Sequence, residues 1–591
     1  MKQDRLLAQT AAGTLLEEGL ERPLFVVDAY EGSAAVWDWL LRGGWHSVVW
    51  PALGETLLQR VRQNSALRAV LALDGLTYEE MAEKAPAAID LLREALASGR
   101  LEIANGGYSH PLALAISGES HVRHLHYGLR AIRELLGIAV ESYLAGDSDL
   151  FPQLPQVLAG FGFKRLVLLS DVAPAGSDPS EGSSLVRWQG PDGSEIRTAA
   201  PYRFLGQEVM GAPERGNGVR EQPLSNWRNE RLELVREEAG RRGIGQPLVA
   251  RFTGLRPGEA PPPDLAAVAA RQDVRFVTPR EYYDVARSVE PLLSYGLDGM
   301  GAAIPWGLGG ERRQRELVDT ENALLLAERL DALAYAMGRQ SEEKELDGAW
   351  KLLLRSQHRD FRAYGPCISR KQRKRVADVA GETVRAARQT GRRLAQEAAT
   401  HLASYVNSAG VEGNGLVIFN PSSWPRREYM EVTVQGEACR ISHGGHEMAS
   451  QVVSRENGSV TVGFVAHVPA LGYSLFEARP LAREPETGTA QQTVSTGAGH
   501  RSFANGFYSA GLDYRGSLRL EVEGRMMVEA GGYLTLWKDG RWYDSRHGAR
   551  SLELLEHGPV FERYRLEGRL AGIPFSEWIT FYAGLPRIDL L

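Results

Sequence analysis

The stretch GRLEIANGGYSHPLALAISGESHVRHLHYGLRAIRELLG (99–137), followed by YLAGDSDLFPQLPQVLAGFGFKRLVLLS (143–170), decides the fold. An apolar run over 101–104 stops at the Gly106-Gly107 turn, and after Ser117-Gly118-Glu119 a long amphipathic pattern begins. That order is strand, loop, helix. The unit then repeats: 143–145 is short and apolar, 146–153 is a polar, acidic loop, 154–161 has a helical period, and 166–169 is the next strand. Units of this kind build a parallel sheet, and chemistry in such sheets sits where strands end and loops begin. The loops 105–120 and 146–153 are therefore the expected places for a site, and the second carries two carboxylates, Asp147 and Asp149.

The same texture extends on both sides of this stretch. Between about residues 23 and 288 the runs LFVVDA, HSVVW, LRAVLALD, PLVARF and VRFVT alternate with helical patterns, which argues for right-handed βαβ units. TYEE (77–80) reads as a capping box with Thr77 as N-cap, and LVRWQGPDGSEIRT (185–198) as a hairpin turning on Pro-Asp-Gly. Residues 203–224, rich in Gly, Pro and Arg, read as a loop at the rim of the sheet. From 311 to about 404 the pattern changes to long apolar-periodic helices, which predict a three-helix bundle. Beyond Gly413 alternating strands with Gly, Asn and Pro turns predict a β-sandwich, and LPRIDLL (585–591) stops in mid-strand, as an incomplete sandwich would.

The expected architecture is therefore a multidomain α/β, α and β chain: a β/α-barrel-like domain over 1–290, a helical bundle over 291–411 and the sandwich over 412–591. A length of 591 residues fits about three domains at roughly 100–200 residues each. A net charge of -6 with interspersed signs argues against nucleic acid, since the one basic run, 370–375, reads as the solvated start of a helix. Two cysteines, Cys367 and Cys439, exclude a disulfide framework. The first residues carry acids where a leader peptide would not, and no run reaches the roughly 18 apolar residues of a membrane span. A cytoplasmic protein without a membrane partner is expected.

The blocks GRLEIANGGY, SGESHVRHLHYG and LFPQLPQVLAGFGFK resemble the first-domain blocks of glycoside hydrolase family 38, the α-mannosidase family, in a divergent branch. AWKLLLRSQHRD (349–360), GLVIFNPSSWPRR (415–427), VPALGY (468–473) and NGFYSAGLDYRGSL (505–518) follow in the family's order along nearly the whole chain. The resemblance implies a distorted β/α-barrel and hydrolysis of α-linked sugars with retention, through a carboxylate nucleophile. It also implies a zinc ion held by an early His-x-Asp, by the nucleophilic Asp, and by a late His followed by Asp.

Carried over residue by residue, the pattern is incomplete. His-x-Asp falls on Val26-Val27-Asp28, which keeps the carboxylate and loses the imidazole. The nucleophile falls on Asp147 or Asp149, with Asp147 preferred because it lies nearer the strand end; the plainer reading is that both cap the helix near Pro152. In the late block, Gln357-His358-Arg359-Asp360, the family's His position holds Arg359; His358 replaces it only if the helix shifts register, and otherwise reads as a surface histidine beside an Arg359–Asp360 pair. The implied metal set is thus Asp28, Asp147 and His358. The family's acid position holds Leu112, and with no carboxylate between Glu102 and Glu119 the nearest titratable candidate for the proton donor is His110.

Other features have plainer readings. Asp28 also suits a backbone-capping role, and Glu119 a place at the start of its helix. Arg123 is expected to tie that helix to a neighbouring carboxylate, and His121, His124 and His126 read as packed or surface histidines. Trp37, Trp39, Trp45, Trp50 and Trp306 are candidates for sugar stacking, although core packing accounts for most of them. Three functions follow from the resemblance: an α-mannosidase-like hydrolase; a non-catalytic carbohydrate-binding or assembly relative with a lost zinc site; and a metal-free glycosidase using Asp28 and Asp147, whose carboxyls would stand roughly 5.5 Å apart. Carbohydrate is the implied partner, and a homo-oligomer is compatible with each of the three.

Overall fold

Short β-branched and apolar runs, each followed by a helix, form parallel strands because the crossover returns the chain to the same edge of the sheet. The computed structural model describes residues 23–35, 59–146, 149–168, 183–199, 229–241, 243–254, 265–287, 290–297, 311–363, 373–481 and 500–591. The chain divides into two compact units, Met1–Glu328 with Glu342–Ala395, and Arg329–Ser341 with Gln396–Leu591.

In the first unit, β1 (Leu24–Gly32) is followed by β2 (Ala69–Leu73), and α1 (Gly75–Lys84) and α2 (Pro86–Ala97) both lie between β2 and β3 (Leu101–Ile103). Then come α3 (Gly118–Leu136), β4 (Ser142–Ala145), α4 (Leu154–Gly160), β5 (Arg165–Leu168), β6 (Leu185–Gln189), β7 (Glu195–Ala199), β8 (Leu248–Gly254), β9 (Val274–Phe276) and β10 (Leu292–Ser294). One sheet has the order β3-β2-β1-β8, with β9 also paired to β1, and every pairing in it is parallel. The other has the order β10-β6-β7-β5-β4, with β6 and β7 as the antiparallel hairpin that Pro191-Asp192-Gly193 predicts. Between the ends of β3 and β4, Asn105 donates its N–H to Ser142 O (3.0 Å) and accepts Leu144 N–H on Oδ1 (2.7 Å).

Val27 and Ala29 of β1, Val70, Leu144, Val167, Leu185, Ala199 and Ala250 belong to one apolar cluster. Both sheets thus line a common interior, in keeping with the parallel core that the alternation predicts. The opposite faces pack on helices, with Leu71, Leu73, Ile103, Leu166 and Trp188 in the largest cluster. The helical stretch folds as α5 (Glu311–Ala336), α6 (Glu343–Ser356) and α7 (Val376–Ala403). In the second unit, antiparallel sheets bury Ile441, Phe476 and Ala478 against Val460, Val462 and Phe464, and further along Phe503 and Leu512 against Tyr564 and Phe581. Among the described residues no helix is long and apolar enough to cross a membrane.

One local expectation changes. The N-cap of α1 is Asp74, whose carboxylate accepts Thr77 N–H, so the cap lies three residues before Thr77. Trp37, Trp39, Trp45, Trp50 and Trp306 lie outside the described residues.

The loop after β3 is held against two helices by backbone contact. Gly75 N–H donates to Gly107 O (2.9 Å), Leu76 N–H to Tyr108 O (3.1 Å) and Tyr108 N–H to His124 O (2.8 Å). Gly106 has φ +121°, a conformation that favours glycine, and a Cβ at Gly128 would stand 2.1 Å from Gly106 O. Gly128→Ala gains roughly 1 kcal/mol in helix propensity but must push backbone apart at a cost of about 1–3 kcal/mol or more. A net loss of stability is expected in urea unfolding, and a gain would show that the contact is not made.

Candidate active site

The C-terminal ends of the parallel strands carry a concentration of buried polar groups. Gly32 pairs with Leu73, so the residues just beyond them meet: Ser33 Oγ donates to Asp74 Oδ2 at 2.6 Å. The loop after β3 delivers His110, and the loop after β4 delivers Asp149; each is 7% exposed. Asp149 accepts Gly146 N–H on Oδ2 (2.8 Å) and lies within 3.4 Å of the Tyr143 hydroxyl, which donates to Oδ1. It does not cap α4, which begins after Gln153 without a side-chain cap. Asp147 lies outside the described residues.

Side-chain alternation sorts the acids of β1. Val27 and Ala29 face the shared interior, so Glu31, two residues on, faces the mouth of that interior. Its carboxylate forms an ion pair with Arg359. Asp28 has the opposite phase, shared with Val26 and Tyr30, and accepts the Tyr30 hydroxyl at 2.8 Å. The strand continues four residues beyond Asp28, to Gly32, which sets it about 13 Å from the strand end at roughly 3.3 Å per residue. Asp28, the carboxylate at the family's His-x-Asp position, thus lies within β1 and not at its end, and the acid at the mouth is Glu31.

The late block also differs from its reading as a surface histidine beside an Arg359–Asp360 pair. α6 ends at Ser356, so His358 is freed from helix register and pairs with Pro111 in an isolated β-bridge. Arg359 N–H donates to His110 O at 2.8 Å, and the His110 and His358 rings stand edge to face with centroids 5.9 Å apart. His358 is buried, its Nδ1 accepting Asp360 N–H (3.1 Å), and Arg359 pairs with Glu31 in preference to Asp360, which lies 4.0 Å away.

These surroundings set the charges. Burial raises the Asp149 carboxyl above its ordinary range, while the charges of Arg359 and His110 oppose the shift. Burial lowers His110, against the pull of Asp74, and lowers His358 strongly, with the charges of His110 and Arg359 adding to the effect. The carboxyl therefore keeps its proton to higher pH than usual and the imidazoles lose theirs early. His110 Nε2 is buried and has no hydrogen-bond partner among the described residues. It lines a cavity of about 40 Å³ with Tyr143, Asp149, His121, His124 and Phe151, room for a few waters.

Behind the cavity, His124 is fixed from both sides. Nδ1 accepts Ser109 N–H (3.3 Å), so Nε2 carries the proton and donates to Gln357 Oε1 (2.9 Å). Gln357 Nε2 donates to Ser120 Oγ (2.9 Å), and Ser120 and Ser117 both donate to Glu321. Arg123 pairs with Glu119 (2.8 Å) and Glu328 (2.7 Å), as expected of a helix tied to neighbouring carboxylates. His121 stacks on Phe151 with centroids 4.0 Å apart.

Residues 75–239, which include His110 and Asp149, match the model of the glycosyl hydrolases family 38 N-terminal domain. Over these residues the chain is related to glycosyl hydrolase family 38. The crystal structure of an alpha-mannosidase from Enterococcus faecalis V583 is similar over 96% of this chain and 73% of its own, at 16% identity and a TM-score of 0.68. A family 38 protein from Enterococcus faecalis is similar over 97% and 72%, at 15% identity and a TM-score of 0.65. At these identities the likeness shows the fold. No curated protein matches the chain.

Among the described residues the donors do not fit the zinc ion that family 38 implies; Asp147, the third of the expected set, lies outside them. Asp28 faces away from the mouth, His358 has one nitrogen engaged by a backbone amide, and the family's second histidine is Arg359. Among the described residues no three His, Cys, Asp or Glu side chains are placed to hold a metal ion. Glu31 and Asp74 are site residues that the sequence reading missed. Period-two counting along β1 from its buried Val27 would have found Glu31, while nothing local marks Asp74 as more than a cap.

Proposed function

We propose that this family 38 relative is an α-mannosidase-like glycoside hydrolase of α-linked sugars, acting with retention at the ends of its parallel strands. The observation that supports this best is the unpartnered Nε2 of buried His110 beside buried Asp149 on the wall of one cavity. A carboxyl that burial makes harder to ionise suits proton donation to a glycosidic oxygen. Asp149 takes that role in this reading, and Asp147, the other acid of the loop, takes that of the nucleophile, forming a glycosyl ester that water then cleaves. His110, with its lowered affinity for protons, is neutral at physiological pH and serves as a hydrogen-bonding partner for a sugar hydroxyl. This replaces its expected role as proton donor.

A second reading, a carbohydrate-binding relative without turnover, draws on the arginine at the family's histidine position and on the small cavity. Hydrolysis of an aryl α-mannoside, measured beside calorimetric titration with methyl α-mannoside, separates the two. Release of the phenol by the full chain, abolished in Asp147→Asn with sugar binding retained, is the expected outcome. Binding without release at any pH supports the second reading, and neither binding nor release sinks both.

A further inference from the structure

The charge at the mouth of the strand interior comes from the chain itself. Glu31, the penultimate residue of β1, lies between its register partners Ala72 of β2 and Gly254 of β8. Its carboxylate holds the guanidinium of Arg359, whose backbone is pinned by the bond from its N–H to His110 O (2.8 Å) and by the adjacent Pro111–His358 bridge. The ion pair is partly buried, with side-chain exposures of 15% for Glu31 and 27% for Arg359. The guanidinium charge reaches His110, Asp149, Tyr143 and His358 from this point, so it is the electrostatic centre of the cluster.

We infer that this site works without a divalent metal, the Arg359 guanidinium, clamped by Glu31, being the fixed positive charge that meets the hydroxyl oxygens of the sugar. A guanidinium is permanently charged and presents its donors in a planar fork, which suits two neighbouring oxygens. A dication brought beside it would meet like-charge repulsion in a poorly solvated place. Glu31, the carboxylate that β1 brings to the mouth, is already paired with the arginine and so is not left to neutralise a metal. His110 and Asp149 line one cavity, so a sugar bound there would lie within the field of this charge.

The ligand in this inference rests on the carbohydrate reading above, whereas the metal statement does not. Elemental analysis of the full chain, expressed with zinc in the medium, is expected to show no stoichiometric zinc, and its melting temperature is expected not to rise on addition of zinc chloride. Titration with methyl α-mannoside is expected to be unchanged by a chelator, and Arg359→Gln to weaken it by roughly tenfold or more, as for a lost charged hydrogen bond. Arg359→Lys keeps the charge without the fork and is expected to fall between them. One zinc per chain, or sugar binding lost on chelation and restored by zinc, overturns the inference. If wild-type protein binds no sugar, the carbohydrate reading fails while the zinc content still decides the metal question. If Arg359→Gln does not fold, the wild-type measurements decide alone.

Discussion

Asp149→Asn is expected to lower hydrolysis of a phenyl or alkyl α-mannoside by on the order of 10²–10⁴, the usual worth of a positioned proton donor. The substitution keeps the shape, and an amide oxygen still accepts Gly146 N–H, so the loop has no reason to move. What disappears is the proton. The donor acts only while protonated, so the wild-type rate is expected to fall as pH rises through a value above the ordinary 3.8 of an aspartate. The variant should lack that limb. A dinitrophenyl leaving group, which departs without protonation, should rescue most of the loss; an equal loss on both substrates would assign Asp149 a structural role.

Acid is expected to unfold the first unit at unusually mild pH. His124 is lowered to about 3 by burial, against its bond to Gln357, and His121 to about 4 by burial, against its bond to Ala113 O. An unfolded histidine titrates near 6.5. Below that value the unfolded chain takes up protons that the folded chain refuses, so stability is full above pH 6.5 and falls as pH drops toward 3 to 4. Each such histidine contributes a slope of about 1.4 kcal/mol per pH unit in this window, with the larger share from fully enclosed His124. Urea midpoints measured down this range should fall steeply for wild type and less steeply for His124→Gln. An unchanged slope in the variant would mean that His124 is protonated in the folded state.

Much of the fold could be read from periodicity. The units around Gly99 to Ser170 alternate strand and helix strongly enough to require a parallel sheet, and β6–β7 announces its turn through Pro191-Asp192-Gly193. Two loops, one containing His110 and one containing Asp149, are legible as places for a site because strand ends can be counted to within a few residues. The rest depends on contacts distant in sequence. His358 was misplaced because α6 stops two residues before it, and helix ends are poorly marked where no Gly or Pro follows. The family motif leads to Asp28, whereas the alternation of buried residues along β1 gives the phase that leads to Glu31. Arg359 could not be tied to Glu31 at all, since 328 residues separate them. Asp74 as a partner for Ser33 had the same difficulty, 41 residues apart.

The central claim is that the loop following β4 carries the group that attacks the sugar. Incubation with 2-deoxy-2-fluoro-α-mannosyl fluoride, then peptide mass spectrometry, measures this directly. A fluoromannosyl ester on Asp147, within the tryptic peptide that runs from Glu134 to Lys164, is the predicted result. An adduct on any other element, or turnover of aryl mannoside with no adduct formed, would contradict it.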